Sequence, residues 1–146
     1  MIITVDTNIV ISALINSKGK EFLLLTSKPL NVNFISSSLL IKELEDKVGK
    51  ITALTRNPIF EIKKQIKFLT SHLLFVDEKE IARTALSKAD FLITQLDYND
   101  LPFLAVAIYY DSLLWTGNLK LYKGLRRKGF KNVITAKELS QIIKGI

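Results

Sequence analysis

Two kinds of hydrophobic pattern alternate along the chain. Short apolar runs rich in β-branched residues predict buried strands, and they occupy residues 2–5, 32–36, 73–76, 112–116 and 132–135. Between them, apolar residues recur every three or four positions, which predicts helices. Because this alternation favours a parallel sheet with helices on both faces, we predict an α/β fold, a three-layer α/β/α sandwich with a central parallel sheet of about five strands. No repeat or linker interrupts it, so residues 1–146 are expected to form a single domain.

One predicted helix carries more apolar surface than a single core-facing stripe requires. Its stripe recurs at i, i+3, i+7 and i+10 and consists of Ile59, Ile62, Ile66 and Leu69. Phe60 and Phe68 add apolar surface outside that stripe. The surplus either packs into the core or contacts another protein, and the pattern alone leaves both interpretations open.

The second half of the chain is less regular. Residues 77–89 predict a helix capped by Asp77, whereas the segment that follows, "ADFLITQLDYND", matches neither a helix nor a strand. The next run, "LPFLAVAIYY", is apolar nearly all round and has Pro102 in its first turn. It therefore predicts a buried helix.

The amino-acid composition limits the partners and the metal sites that the chain can have. Lys and Arg number 21 against 14 Asp and Glu, a formal charge of +7, which favours an anionic partner such as nucleic acid, although high charge also serves solubility. There is no Cys and only one His, His72, so thiolate catalysis and zinc sites built from Cys or His are excluded. Any bound metal must be held by oxygen atoms, which favours Mg²⁺ or Mn²⁺.

The chain shows no sign of membrane insertion. Asp6 interrupts the apolar N-terminal run, no basic segment precedes it, and no apolar run approaches the roughly 20 residues of a membrane helix. We therefore expect a cytoplasmic protein without a membrane partner.

Polar residues follow the predicted strands at the edge where a parallel sheet binds ligands. Asp6 follows the first strand, Glu43 lies early in the helix after the second, Asp100 begins the buried helix, and Asn118 follows the fourth strand. The carboxyl ends of parallel strands lie at one edge together with helix N-termini. These residues are therefore expected to converge, although Asp6 and Asp100 could each cap a helix and Glu43 could lie on the surface.

A convergent cluster of acids has a chemical consequence. Two carboxylates about 4 Å apart repel by roughly 4 kcal/mol at an effective dielectric near 20. Such a cluster needs a cation or raised pKa values to persist. A divalent cation held by carboxylates can polarise a phosphate and activate water. On a basic chain, this combination indicates hydrolysis of phosphodiester bonds.

The motifs that carry these residues resemble those of the PIN-domain family, with VapC-type toxin ribonucleases among the nearest relatives. They are "VDTNIVISAL" from Val5, "LLIKELEDK" around Glu43, "DYNDLPFLAVAI" from Asp97 and "LWTGNLKL" from Leu114. They occur in the family's order and span almost the whole chain. The resemblance implies a sandwich of helices around a parallel sheet, cleavage of RNA with Mg²⁺ or Mn²⁺, and products with 5′-phosphate and 3′-hydroxyl ends.

The resemblance also assigns roles to individual residues. It implies that Asp6, Glu43 and Asp100 are the catalytic, metal-binding acids. Supporting polar positions are carried over to Asn8, Asp97, Thr116 and Asn118. Asn118 departs from the family, because many relatives place an aspartate at this position, and the amide implies a weaker hold on a second cation.

Partners follow from two further segments. "LKLYKGLRRKGFK" contains no acid and starts at the proposed site, so its charge predicts that it binds RNA phosphates through Lys120, Lys123, Arg126 and Arg127. A solvated basic surface is the alternative. The resemblance further implies that helices around residues 59–74 form a homodimer or bind an antitoxin protein.

Two other functions compete with this interpretation. A PIN-like domain weakened by Asn118 would bind RNA or a protein without cleaving. A phosphoacceptor receiver domain also gathers acids at strand ends, but Asp6 has no acidic neighbour in sequence and only Asp77 could serve as the acceptor.

Overall fold

The computed structural model describes residues 1–144 and has a parallel five-stranded sheet at its centre. The strands are β1 (Ile2–Val5), β2 (Asn33–Ser37), β3 (Leu74–Val76), β4 (Leu113–Trp115) and β5 (Val133–Ile134). Their order in the sheet is β3-β2-β1-β4-β5. The predicted parallel sheet is confirmed, and each strand boundary lies within one residue of its predicted position.

Helices cover both faces of the sheet. They are α1 (Thr7–Ile15), α2 (Lys20–Thr26), α3 (Leu39–Thr55), α4 (Ile59–Thr70), α5 (Arg83–Ile93), α6 (Leu101–Tyr109), α7 (Leu119–Arg127) and α8 (Ala136–Lys144). The chain steps from β1 to β2 to β3 in one direction, then returns to β4 and steps to β5 in the other. Because such crossovers are right-handed, α1–α4 and α5–α7 lie on opposite faces. No helix within residues 1–144 is long and apolar enough to cross a bilayer.

The change of direction beside β1 locates a crevice. β1 pairs with β2 on one side and with β4 on the other, and the chain leaves β1 and β4 toward opposite edges of the sheet. In open parallel sheets, ligands bind at the carboxyl ends of strands at such a reversal. The residues that follow Val5 and Trp115 therefore border the position where a site is expected.

The single helix predicted over residues 77–89 is wrong. Asp77 instead caps a 3₁₀ turn at Glu78–Glu80, because its Oδ1 accepts a hydrogen bond from the Lys79 N–H at 2.9 Å. Ile81 is extended, and α5 begins only at Arg83. The unassigned segment forms the end of α5 and a second 3₁₀ turn, Tyr98–Asp100.

The apolar surplus of α4 is divided between the core and the surface. Ile62 and Leu69 are fully buried, and Ile66 packs partly buried against the core. Ile59 and Phe60 stay exposed, at 52% and 65% of their surface. The core interpretation is therefore correct for the middle of the stripe, while its first turn leaves apolar surface uncovered.

Candidate active site

A polar pocket of about 240 Å³ opens at the carboxyl ends of the central strands. Its lining is Thr7, Asn8, Glu43, Asp46, Lys47, Asp97, Asn99, Asp100, Phe103 and Asn118. These residues come from the first turn of α1, from α3, from the turn before α6, from α6 itself and from the residue that precedes α7. The structure thus brings together the predicted side chains of Asn8, Glu43, Asp97, Asp100 and Asn118.

Asp6 is buried at the start of α1, next to the pocket residue Thr7. It is 1% exposed and serves as the helix N-cap, since its Oδ1 accepts a hydrogen bond from the Ile9 N–H at 3.1 Å. Its Oδ2 is also buried and has no hydrogen-bond partner. The capping interpretation is therefore correct for one oxygen only, and the second oxygen has no hydrogen-bond partner within the protein.

Burial raises the pKa of Asp6 from 3.8 to about 7. The charge of Asp100 raises it further, whereas the Thr116 hydroxyl and the N–H groups of Ile9 and Asn8 favour the ionised form. The Thr116 hydroxyl lies near this carboxylate without a hydrogen bond of normal geometry, and Asp6 Oδ2 stays unpartnered. A neighbouring cation would restore the ionised form of this carboxylate.

Asp100 is the second carboxyl group at this site whose pKa is strongly raised. It precedes α6 but makes no capping hydrogen bond, so the capping interpretation is wrong here and the carboxylate is available to the pocket. Burial raises its pKa to about 6, and the charges of Asp97 and Glu43 add to the shift, while Lys47 opposes it. Four acids therefore act on one another across this pocket, although they come from separate segments of the chain.

The turn before α6 holds these acids in place. Asp97 Oδ1 accepts a hydrogen bond from the Asn99 N–H at 2.9 Å, and the Asp100 N–H donates to the Asp97 carbonyl oxygen at 3.0 Å. The carboxylate of Asp97 is thus partly engaged in shaping the backbone. Within residues 1–144, no three acidic or histidine side chains are close enough together to form a ready-made metal cluster.

Asn118 has a structural task that the sequence did not indicate. Its Oδ1 accepts hydrogen bonds from the N–H groups of Lys120 at 3.0 Å and Leu121 at 3.3 Å, so it caps α7. Its own N–H donates to Thr116 Oγ1 at 3.0 Å. Thr116, which is buried, therefore joins the end of β4 to the start of α7.

The basic segment forms α7, which begins directly at the pocket residue Asn118. Lys120, Lys123 and Arg127 are exposed on it. Arg126 is engaged within the fold, because it bonds to Glu138 at 3.1 Å and to the Val133 carbonyl oxygen at 3.2 Å. Its guanidinium also lies over the Tyr122 ring, 4.7 Å from the ring centroid.

Helix α7 packs closely against the segment before the acidic turn at Gly124. A Cβ at Gly124 would lie 2.6 Å from Leu96 Cδ2, so a larger residue would require the Leu96 side chain to move. Lys128 adds a tether, since its Nζ donates to the Leu92 carbonyl oxygen at 2.8 Å. These contacts hold the basic helix against the segment that leads into Asp97.

Sequence reasoning missed part of the pocket lining. Asp46 and Lys47 lie three and four residues after Glu43 in α3, so they share its side of the helix. This spacing could have identified them once Glu43 was placed at the site. Asn99 was visible in the "DYND" motif but was not distinguished from its acidic neighbours.

Comparison with known proteins is consistent with the fold. Residues 4–138 match the family model of the PIN domain. Solved structures with a similar fold include VapBC2 from Rickettsia felis bound to a promoter DNA fragment, with a TM-score of 0.68, 23% identity and coverage of 92% of this chain and 97% of that chain. VapBC-1 from nontypeable Haemophilus influenzae has a TM-score of 0.64, 19% identity and coverage of 87% and 94%.

A third similar structure is PAE2754 from Pyrobaculum aerophilum, with a TM-score of 0.68, 14% identity and coverage of 99% of this chain and 90% of that chain. No curated protein matches the chain. At these identities, the structural likenesses establish the fold.

Proposed function

The chain belongs to the PIN-domain family, and on that premise we propose that it is a divalent-metal-dependent endoribonuclease that hydrolyses phosphodiester bonds in RNA. The observation that carries the proposal is the buried, unpartnered Oδ2 of Asp6 beside Asp100. Two carboxylates that burial and mutual repulsion disfavour as anions need a cation to remain ionised. Carboxylates with raised pKa values that cluster in this way are typical of catalytic sites, and a metal-dependent nuclease requires such a cluster.

The residues fit a hard divalent cation. The pocket offers carboxylate and amide oxygens with no thiolate or imidazole among its lining residues, which is the donor set that Mg²⁺ or Mn²⁺ prefers. Asp6, Asp100 and Glu43 would hold the ion directly or through bound water, since the three side chains do not by themselves form a close ligand cluster. When bound, such an ion supplies charge neutralisation at a phosphate and activation of water.

Other residues in and near the pocket support the acids and bind the RNA. Thr116 favours the ionised form of Asp6, and Asn8 and Asp97 line the space around the acids. Lys120, Lys123 and Arg127 on α7 would contact phosphates that flank the cut, through sequence-independent attraction. Arg126 would add its charge to this surface while its guanidinium stays bonded to Glu138.

Cleavage of a mixed tRNA and mRNA pool with Mg²⁺ or Mn²⁺ tests the proposal. Asp6→Asn and Asp100→Asn should each reduce cleavage at least about 100-fold, because each removes an anionic ligand. Asp111→Asn is the matched control. It removes an exposed carboxylate that precedes β4 and therefore lies at the amino-terminal ends of the strands, away from the pocket. Undiminished cleavage by both pocket variants would overturn the assignment.

We further propose that the protein is the toxin of a toxin–antitoxin pair. The similar structures from R. felis and H. influenzae are VapBC proteins, and another, from Klebsiella pneumoniae, is a toxin–antitoxin complex. The exposed first turn of α4 supports a protein partner, either an antitoxin or a second copy of this chain. Induced expression should arrest growth for the wild type and not for Asp6→Asn; equal growth of both strains would argue against a toxin.

One observation supports a second candidate, a PIN-like domain that binds RNA or protein without cleaving. Asn118 supplies no charge to the pocket, and its Oδ1 is engaged by two backbone N–H groups. This candidate predicts no cleavage with any divalent cation but retained RNA binding. The same RNA pool, assayed by both cleavage and binding, separates it from the nuclease.

A further inference from the structure

Lys47 is the one cation in the wall of the acidic pocket, within the part of the chain that the structure describes. It follows Glu43 by four residues in α3, so the two side chains lie on the same side of that helix. Asp46 beside it and Asp100 across the pocket are acidic. A single positive charge thus stands among carboxylates at the site proposed for RNA cleavage.

The ammonium of Lys47 is not engaged in a close ion pair. Across residues 1–144, the single pair with a nitrogen–oxygen distance within 4.0 Å joins Arg126 and Glu138. Lys47 nevertheless acts on the pocket, because its charge favours the ionised form of Asp100 and partly opposes the rise that burial causes in the pKa of that carboxyl. Its side chain is exposed and free to reach a ligand at the pocket mouth.

We propose that Lys47 binds a non-bridging oxygen of the substrate phosphate at the mouth of the acidic pocket, which rests on the nuclease function proposed above. A phosphate diester is itself an anion, so the acids that favour a metal cation also repel the substrate. A fixed positive charge beside them offsets that repulsion. Lysine suits the task, since its ammonium is a compact point charge that pairs with phosphate oxygens.

This role has a signature that a merely structural residue lacks. A positive charge in the pocket repels a divalent cation and attracts a phosphate. Its removal should therefore tighten cation binding and weaken RNA binding at the same time. Damage to the pocket would weaken both, and a change in overall protein charge would act equally from any position on α3.

The experiment compares Lys47→Met with Lys50→Met in the intact chain. Lys50 is exposed on the same helix and lies outside the pocket lining, so both variants lose one charge from α3. Mn²⁺ affinity is measured by the electron paramagnetic resonance signal of free Mn²⁺. RNA affinity is measured by fluorescence anisotropy of a labelled oligonucleotide in EDTA, and cleavage is measured with Mg²⁺.

For Lys47→Met we expect Mn²⁺ binding about 3- to 10-fold tighter, RNA binding about 3- to 10-fold weaker and cleavage at least about 10-fold slower. Lys50→Met should stay within about twofold of wild type in all three. Lys47→Arg keeps the charge and should recover most of the RNA affinity. Lys47→Gln also removes the charge and replaces the methionine variant if that variant fails to fold.

The outcomes separate the two proposals. Equal behaviour of Lys47→Met and Lys50→Met, or weakening of both Mn²⁺ and RNA binding by Lys47→Met, would overturn the role of Lys47. Absence of wild-type cleavage with either cation would remove the nuclease function. The opposite shifts in Mn²⁺ and RNA affinity would then still establish Lys47 as a phosphate contact.

Discussion

Burial raises the pKa of Asp6, and the charge of Asp100 adds to that rise, although the two carboxylates belong to segments that are far apart in sequence. Asp6 follows the central strand β1, and Asp100 precedes the helix that leads into its neighbour β4. The two meet because the chain reverses its direction across the sheet between these strands. Two acids at one site whose pKa values are raised mainly by burial are the electrostatic mark of a candidate ligand site.

The stability of the metal-free protein should fall as the pH rises. The pKa of Asp6 is about 7 in the fold against 3.8 as its ordinary value, so the folded state retains a proton that the unfolded state has lost. The resulting stabilisation is fully present below about pH 4 and is lost as the pH approaches 7. Asp6→Asn should gain up to about 3 kcal/mol relative to wild type between pH 5 and 8.

Urea denaturation in EDTA at pH 5 and pH 8 measures this difference. Asparagine keeps an oxygen that can accept from the Ile9 N–H, so the cap of α1 is preserved in the variant. Asp111→Asn, which removes an exposed carboxylate, should follow the wild-type curve. A pH-independent difference between Asp6→Asn and wild type would contradict the raised pKa.

The capping role of Asn118 predicts different effects for two substitutions. Asn118→Ala removes the acceptor for the Lys120 and Leu121 N–H groups and should cost about 1 kcal/mol of unfolding free energy. Asn118→Asp keeps the acceptor and places a negative charge at the N-terminus of α7, so stability should be maintained. The added carboxylate should also tighten Mn²⁺ binding and raise cleavage. Thermal melts and Mn²⁺ titrations check these expectations; a loss of stability in Asn118→Asp equal to that of Asn118→Ala would refute the cap.

The exposed cations of α7 should govern the salt dependence of RNA binding. Lys123→Ala combined with Arg127→Ala should lower the slope of log affinity against log salt by about 1 to 2, because each phosphate contact releases roughly one counterion. Arg126→Ala should instead lower the melting temperature, since its guanidinium joins α7 to Glu138 and to the Val133 carbonyl oxygen. Fluorescence anisotropy titrations of RNA binding at several salt concentrations measure this slope. An unchanged slope in the double variant would show that the cations of α7 form a solvated surface that does not contact RNA.

The uncovered first turn of α4 should mediate association. Phe60 is 65% exposed there, and burial of such a side chain favours a protein contact. Phe60→Ser should therefore weaken self-association in sedimentation equilibrium. Phe91→Ser is the matched control, because Phe91 is exposed on α5, on the opposite face of the sheet. A wild-type protein that stays monomeric at high concentration would remove the homodimer and leave the antitoxin as the partner to test.

Local sequence patterns were sufficient for much of the fold. Strand β1 (Ile2–Val5) and the helix that begins at Leu101 are largely buried, and their residues are mostly apolar for that reason. Both segments could therefore be predicted from residue type. The rule that parallel strands share one ligand edge was enough to place Asp6, Glu43, Asp100 and Asn118 in or beside one pocket. No contact information was needed for these steps.

The tertiary structure decided what each polar atom does. Asp6 and Asp100 are equal in sequence as candidate caps, yet only Asp6 accepts the capping hydrogen bond, and it does so with one oxygen. The hydrogen bonds of Asn118 with the Lys120 N–H and of Arg126 with Glu138 likewise form only because the fold brings these groups together. Burial and hydrogen bonding are properties of the assembled neighbours. The sequence pattern and the rule for parallel sheets therefore determined where the acids gather, and the packed fold determined which of their oxygens have hydrogen-bond partners.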